Sequence, residues 1–141
     1  MSRFFRYAPL AAPLLFAFAT LLPATVQAQD PGKAVVSIYR IAPGKHLEFL
    51  RWQAIRDAAA IEAGVGATQW YAHMDGDSWD YVGISPTTTD EQDDKIEKVL
   101  VGKHLTTGFK AGLEFRTMVA MHTDTLAQGP TTAQALVDAA K

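Results

Sequence analysis

The side chains of this chain that can carry chemistry are few: four histidines (His46, His73, His104 and His122), a cluster of acids around Gly76, and no cysteine. The acids Asp75, Asp77 and Asp80 are spaced D-x-D-x-x-D, which invites a calcium reading. A calcium loop of that kind needs a 12-residue frame closed by a bidentate Glu, and this stretch, HMDGDSWDYVGI, has none. Asp-Gly between two alternating apolar runs is what a β-hairpin turn requires. Glycine takes positive φ without a Cβ clash, and Asp bonds its own backbone. The acids are therefore read as a capped turn, and no metal is expected.

No two histidines have the i, i+4 spacing of a zinc helix, and H-E-x-x-H is absent. His73 and His122 fall in strand-like runs and can face each other across a sheet. There a neutral imidazole serves as base, hydrogen-bond donor or haem ligand. His46 and His104 fit the ends of helices, at the surface. The aromatics Tyr39, Trp52, Trp70, Tyr71, Trp79 and Tyr81 can line an apolar cavity with polar tips, or simply pack. Neither G-x-S-x-G nor G-x-G-x-x-G occurs, and Gly64-Val65-Gly66 follows a helical run rather than a strand. No motif names a catalytic residue or a cofactor. The pocket candidates are His73, His122, Tyr39, Trp52 and Tyr71.

These residues must be positioned by an alternation of strands and helices. AVVSIYRI (34–41) is β-branched and aromatic, a strand. After Pro43-Gly44, the residues Leu47, Leu50, Ala54, Ala58 and Ile61 recur at helical steps and predict the buried stripe of a helix ending near Gly64. Phe49, Trp52 and Ile55 form a second apolar flank. Strands are predicted at Thr68–Met74 and Trp79–Ile84, joined by the Asp-Gly turn. Thr89 and Gln92 fit a capping box opening a second helix, with Ile96, Val99, Leu100 and the stem of Lys103 inward. HLTTGFKAGL (104–113) reads as a loop or short irregular helix, and Phe115–Thr125 as the last strand. The tail from 126 to 141 can add a short helix. This order predicts an α+β, ferredoxin-like βαββαβ domain over 34–125, a four-stranded antiparallel sheet with two helices on one face. A parallel α/β sheet is disfavoured by the central hairpin.

The N-terminus is expected to be an address rather than structure. Arg3 and Arg6 precede an apolar run, Tyr7–Leu22, interrupted by Pro9 and Pro13, and Val26-Gln27-Ala28 suits a cleavage site. That is the layout of a secretory signal peptide (1–28), cleaved near Ala28-Gln29. The run falls short of the ~20 residues of a spanning helix, so no stable membrane anchor is expected and the location is periplasmic or secreted. Residues 29–33 are a short lead. The formal net charge of the whole chain is −2, and losing Arg3 and Arg6 makes the rest more negative. No basic cluster points to nucleic acid. Without cysteine there is no disulfide staple and no thiol nucleophile.

Two helices cover one face of such a sheet, yet both registers of several strands are apolar. A bare face of that kind exceeds what monomers usually expose, so a homodimer stacking sheet on sheet is expected, or a small-molecule pocket, or both. Trp70, Met74, Trp79 and Tyr81 on the hairpin, with Phe115, Val119 and Met121 from the last strand, are the interface candidates. His73 and His122, of opposite parity, would face the helices. With VVSIYRIAPGKHLEFL opening and QWYAHMDGDSWDYVGI as its hairpin, the chain resembles the dimeric α+β barrel superfamily over about residues 34–125. That superfamily includes antibiotic-biosynthesis-type monooxygenases, EthD-like proteins and the haem-binding relatives of chlorite dismutase. The resemblance implies facing sheets in a dimer and a pocket between each sheet and its helices. Its members differ in their active sites, so it transfers no catalytic residue. The expected function is binding or transformation of a small apolar or aromatic molecule; the alternative is a non-catalytic exported dimer whose sheet face is only an interaction surface.

Overall fold

The computed structural model describes residues 32–141. The signal peptide, its cleavage point and residues 29–31 of the lead lie outside the described residues. The chain runs β1 (Lys33–Ile41), α1 (His46–Glu62), β2 (Gln69–Ala72), β3 (Tyr81–Pro86), α2 (Asp90–Gly102), α3 (Gly108–Arg116), β4 (Val119–Gln128) and α4 (Ala133–Ala139). The strands form one antiparallel sheet in the order β2-β3-β1-β4. That is the ferredoxin-like order, with first and third strands central.

The pairing assigns every side chain to a face. Opposed residues of an antiparallel pair point the same way. Tyr39 opposes both Tyr81 and His122, Ser37 opposes Gly83 and Asp124, and Trp70 opposes Gly83. These residues look toward the helices. Ile38 opposes Val82 and Thr123, Tyr71 opposes Val82, and Arg40 opposes Met121; these look away, onto an open face.

The core sits on the helix side. Tyr39, Ile41, Phe49 and Met118 are its buried centre, flanked by Trp52, Trp70, Tyr81, Phe115 and Val119. Phe49 and Met118 are 0% and 1% exposed. Phe49 stacks on Tyr81 at 5.8 Å between centroids and meets Trp70 edge-on at 5.9 Å, geometries that suit the ring quadrupoles.

α1 presents a different flank to the sheet than its leucine pattern predicts. Leu47, Leu50 and Ile61 are exposed, whereas Phe49 and Ala59 are buried. The helix has two apolar flanks, and the one carrying Phe49 and Trp52 removes more apolar surface from water. The same flank carries Asp57. Its carboxylate accepts from Thr68 Oγ1 (2.8 Å), the Thr68 amide (3.3 Å) and Trp70 Nε1 (2.8 Å), fastening α1 to β2. Gly83 lets this happen: a Cβ there would lie 3.2 Å from the Trp70 ring and 3.1 Å from the Thr68 methyl.

α2 opens with the expected capping box, Gln92 N donating to Thr89 Oγ1 and Thr89 N to Gln92 Oε1. Lys103 pairs with Glu62 of α1 rather than covering the core. A second departure is α3, which occupies the start of the predicted last strand. Ala111 and Phe115 turn inward at i, i+4 while their neighbours are exposed, so the operative period is helical, and the alternation at 115–119 is incidental. Thr117 Oγ1 donates to Glu114 O at 2.7 Å where α3 ends.

The central hairpin has a longer connection than expected: β2 is shorter than the predicted 68–74, and β3 is shifted from 79–84 to 81–86. Gly76 takes φ +111° at the turn, as predicted, and Asp77 accepts from the Ser78 amide. Asp80 does something else. Its backbone N–H donates to Tyr39 O (2.8 Å) and its carboxylate accepts from Ile41 N (2.6 Å), holding the end of β1 where the β1–β4 register shifts. Asp77 and Asp80 thus have separate tasks. Among the described residues no group of His, Asp and Glu is placed to hold a metal.

Candidate ligand-binding cleft between the helices and the sheet

β1 and β4 bring four polar or aromatic side chains to one side of the sheet through simple two-residue alternation: Ser37 and Tyr39 on β1, His122 and Asp124 on β4. α1 and α3 lower Trp52, Gln53 and Phe115 onto them. These seven, with Val35, Ala111 and Gly112, line a cleft of ≈ 370 Å³. Among the five pocket candidates, Tyr39, Trp52 and His122 meet here.

The cleft has an aromatic wall and a polar floor. The His122 ring lies nearly parallel to Tyr39 (centroids 6.3 Å, 14°) and stands edge-on to Phe115 (4.9 Å, 89°), and Trp52 leans on Phe115 at 5.6 Å. On the floor Ser37 Oγ donates to Asp124 Oδ1 at 2.7 Å, and Asp124 Oδ2 lies 3.7 Å from His122 Nε2. That last separation exceeds hydrogen-bond length, so Asp124 Oδ2 is not bonded to His122. Burial pushes the Tyr39 phenol up from its ordinary value, and the Asp124 and Asp57 carboxylates push the same way, against hydrogen bonding to Ser37 and Gln53. The phenol therefore stays protonated through neutral pH and can donate.

Trp52 is held from behind. Its Nε1 donates to Glu114 Oε2 at 3.1 Å, and the Arg56 guanidinium lies 3.4 Å from its ring centroid. Thr106 also donates to Glu114, and Arg56 donates to Thr106 O at 3.0 Å. Thr106 first, then Trp52 and Arg56, hold the Glu114 carboxyl below its usual range. Burial lowers the Arg56 pKa, opposed by Glu114.

The other predicted site residues lie elsewhere. Tyr71 is exposed on the open face, where it lines a groove of ≈ 450 Å³. His73 lies against Trp79 (5.0 Å) near the hairpin, its Nε2 buried and without a hydrogen-bond partner among the described residues. Several interface candidates also take positions other than the expected one. Trp70, Tyr81, Phe115 and Val119 pack into the helix-side core, and Phe115 sits on α3. Trp79 and Met74 fall in the connection between β2 and β3, with Met74 96% exposed. Met121, opposite Arg40, is on the open face. Alternation correctly puts Trp70 and Tyr81 on one face, but it does not say which face the helices cover. The residues missed were Ser37, Gln53 and Asp124. Ser37 and Asp124 lie two positions from Tyr39 and His122, a signal present in the sequence.

Fold and cleft together define a ferredoxin-like α+β domain with a cavity between its helix layer and its sheet. No family model and no curated protein matches the chain. Among solved structures it is similar to the protein Atu4242 from Agrobacterium tumefaciens, with 11% identity over 72% of this chain and 95% of that one and a TM-score of 0.48. It is also similar to a dimeric protein of unknown function and ferredoxin-like fold from Bacteroides fragilis, with 12% identity over 72% of this chain and 99% of the other and a TM-score of 0.41. No helix among the described residues is long and apolar enough to cross a membrane.

Proposed function

We propose that this is an exported protein that binds a small aromatic or apolar molecule bearing one polar group, in the cleft between its helices and its sheet. The observation that carries this reading is the convergence of Tyr39, Trp52, Phe115 and His122 above the Ser37–Asp124 pair. The cleft volume, ≈ 370 Å³, lies in the ~300–1,000 Å³ range of small-molecule sites. A flat ligand would lie against the wall formed by the Tyr39, Phe115 and Trp52 rings. A hydroxyl or N–H on it would donate to Asp124 Oδ2, and a carbonyl would accept from the Tyr39 phenol. His122 beside Asp124 is the group suited to take a proton from a bound phenol, so this reading includes cofactor-free transformation as well as binding.

The same reading has the mature chain begin near Gln29 and associate through the open sheet face, where Val36, Ile38, Tyr71, Val82, Ile84 and Met121 leave apolar surface uncovered. If that face is the protein's whole purpose, the cleft is idle and the chain is only an exported interaction module.

A thermal-shift screen of phenols, quinones and aromatic acids separates the two. A ligand present at a hundredfold excess over its Kd should stabilise by about 2.7 kcal/mol. His122→Ala and Trp52→Ala should remove that shift, and Tyr71→Ala should keep it. A hit that survives both cleft variants, or no hit across the screen, would sink the cleft reading.

A further inference from the structure

Among the described residues α4 is a capped helix whose side chains are all exposed. Thr132 Oγ1 accepts from the Ala135 amide at its start. Gln134 Nε2 donates to Asp138 Oδ1, and Lys141 pairs with the same carboxylate at 2.9 Å, so one side of the helix is bonded within itself. The other side carries Ala133, Leu136, Val137 and Ala140 at helical spacing. All of it is exposed, with Leu136 at 58% and Val137 at 53%. Isolated helices shorter than ~12–15 residues are marginal in water, and α4 has 7. Such a helix persists by laying its apolar side on a surface.

An apolar groove begins where α4 departs. The ≈ 450 Å³ cavity on the open face is lined by Val36, Tyr71, Ile84 and Ala127, and its rim is Gly129 and Pro130, the link to α4. The Gly129 amide donates to Gly32 O at 2.9 Å, which ties that link to the start of β1, and no residue of α4 lines the groove of its own chain. Four strands at ~4.8 Å spacing and ~3.3 Å per residue give this face a footprint of roughly 500 Å². A bare sheet-to-sheet contact therefore lies near the lower limit of specific interfaces, about 600 Å² per partner. A closed two-fold contact presents each copy's groove to the other.

We infer that α4 is an exchanged arm: it docks Leu136 and Val137 into the open-face groove of a second copy of this chain, whose own α4 returns the contact. This rests on the open-face dimer proposed above and adds to it the segment that completes the interface.

The chain has no cysteine, which makes the exchange directly readable. Leu136→Cys on one chain and Gln69→Cys, at the groove, on another are mixed and oxidised. A covalent dimer containing one of each is expected on a non-reducing gel. Both substitutions on a single chain should still cross-link chain to chain; an internally bridged monomer instead would show α4 folding onto its own groove and overturn the exchange. In parallel, Leu136→Asp with Val137→Asp should weaken the dimer at least tenfold by light scattering on dilution, and Ile84→Asp should abolish it. A wild type that is monomeric at micromolar concentration removes the open-face dimer and the arm together. A dimer broken by Ile84→Asp, indifferent to the α4 pair and giving no mixed cross-link, keeps the dimer and removes only the arm.

Discussion

On the helix side of the sheet Phe49 and Met118 have essentially no exposed surface, while on the other side Tyr71 and Met121 keep 53% and 49% of theirs. Both faces are built from apolar and aromatic residues of the same strands, alternating one by one along β1, β2 and β3. They differ in what answers their polar atoms. On the helix side Trp70 Nε1 and Thr68 find Asp57, and Ser37 finds Asp124. On the open face the side chains turned outward from the inner strands β1 and β3, save Arg40, are hydrocarbon or the small Ala34 and Pro86, which need shape and dryness rather than partners. The helix side thus satisfies its polar groups within one chain, whereas the open face leaves apolar side chains in contact with water.

The largest test of this contrast is truncation on each side. Phe49→Ala empties the centre of the aromatic cluster and should cost about 3–5 kcal/mol, the usual range for a fully buried phenylalanine. Ile38→Ala, 36% exposed on the open face, should cost the monomer less, about 1–2 kcal/mol. Urea denaturation at submicromolar protein reads both, and equal losses would erase the distinction between the faces.

A smaller effect is expected at the link between α1 and β2. Asp57→Ala leaves the Trp70 indole N–H half-buried and unpaired, at a cost of about 1–3 kcal/mol. Near-UV circular dichroism should show Trp70 losing its fixed environment. A variant as stable as the parent would mean that water serves Trp70 and Thr68 as well as the carboxylate does.

The smallest effect is pH-dependent and confined to the cleft. The folded state depresses the Glu114 pKa, chiefly through Thr106 and then through Trp52. Its contribution is present above the ordinary glutamate value and is lost as pH falls through the lowered folded-state value. Acidification should therefore release Trp52 before the fold is lost, read as a fluorescence change that Glu114→Gln removes. Glu114 is exposed, so its effect on global stability should be slight.

The element order and the topology it implies were legible in the sequence. The β-branched run of β1 and the Thr89–Gln92 capping box are local signals, and each formed where its residues stand; the Asp-Gly pair marks the hairpin, within a longer connection than a two-residue turn. So were three of the cleft residues, Tyr39, Trp52 and His122, because a polar-tipped ring in an amphipathic element points somewhere in particular. The leader read in residues 1–28 lies outside what the structure describes.

Three matters were decided only by tertiary structure. Period-two alternation fixes which residues share a face but not which face the helices cover, so Trp70 and Tyr81 went inward and Tyr71 outward. α1 had two apolar flanks and turned Phe49 and Trp52 to the sheet, because that side buries more surface and brings Asp57 to its donors. Phe115 was read in a strand and stands in a helix, because a short apolar run satisfies both periods until a neighbouring surface selects one. In each case the local pattern left two arrangements open; for the sheet faces and α1, contacts between separate elements, Asp57 with Trp70 and Ser37 with Asp124, accompany the one adopted.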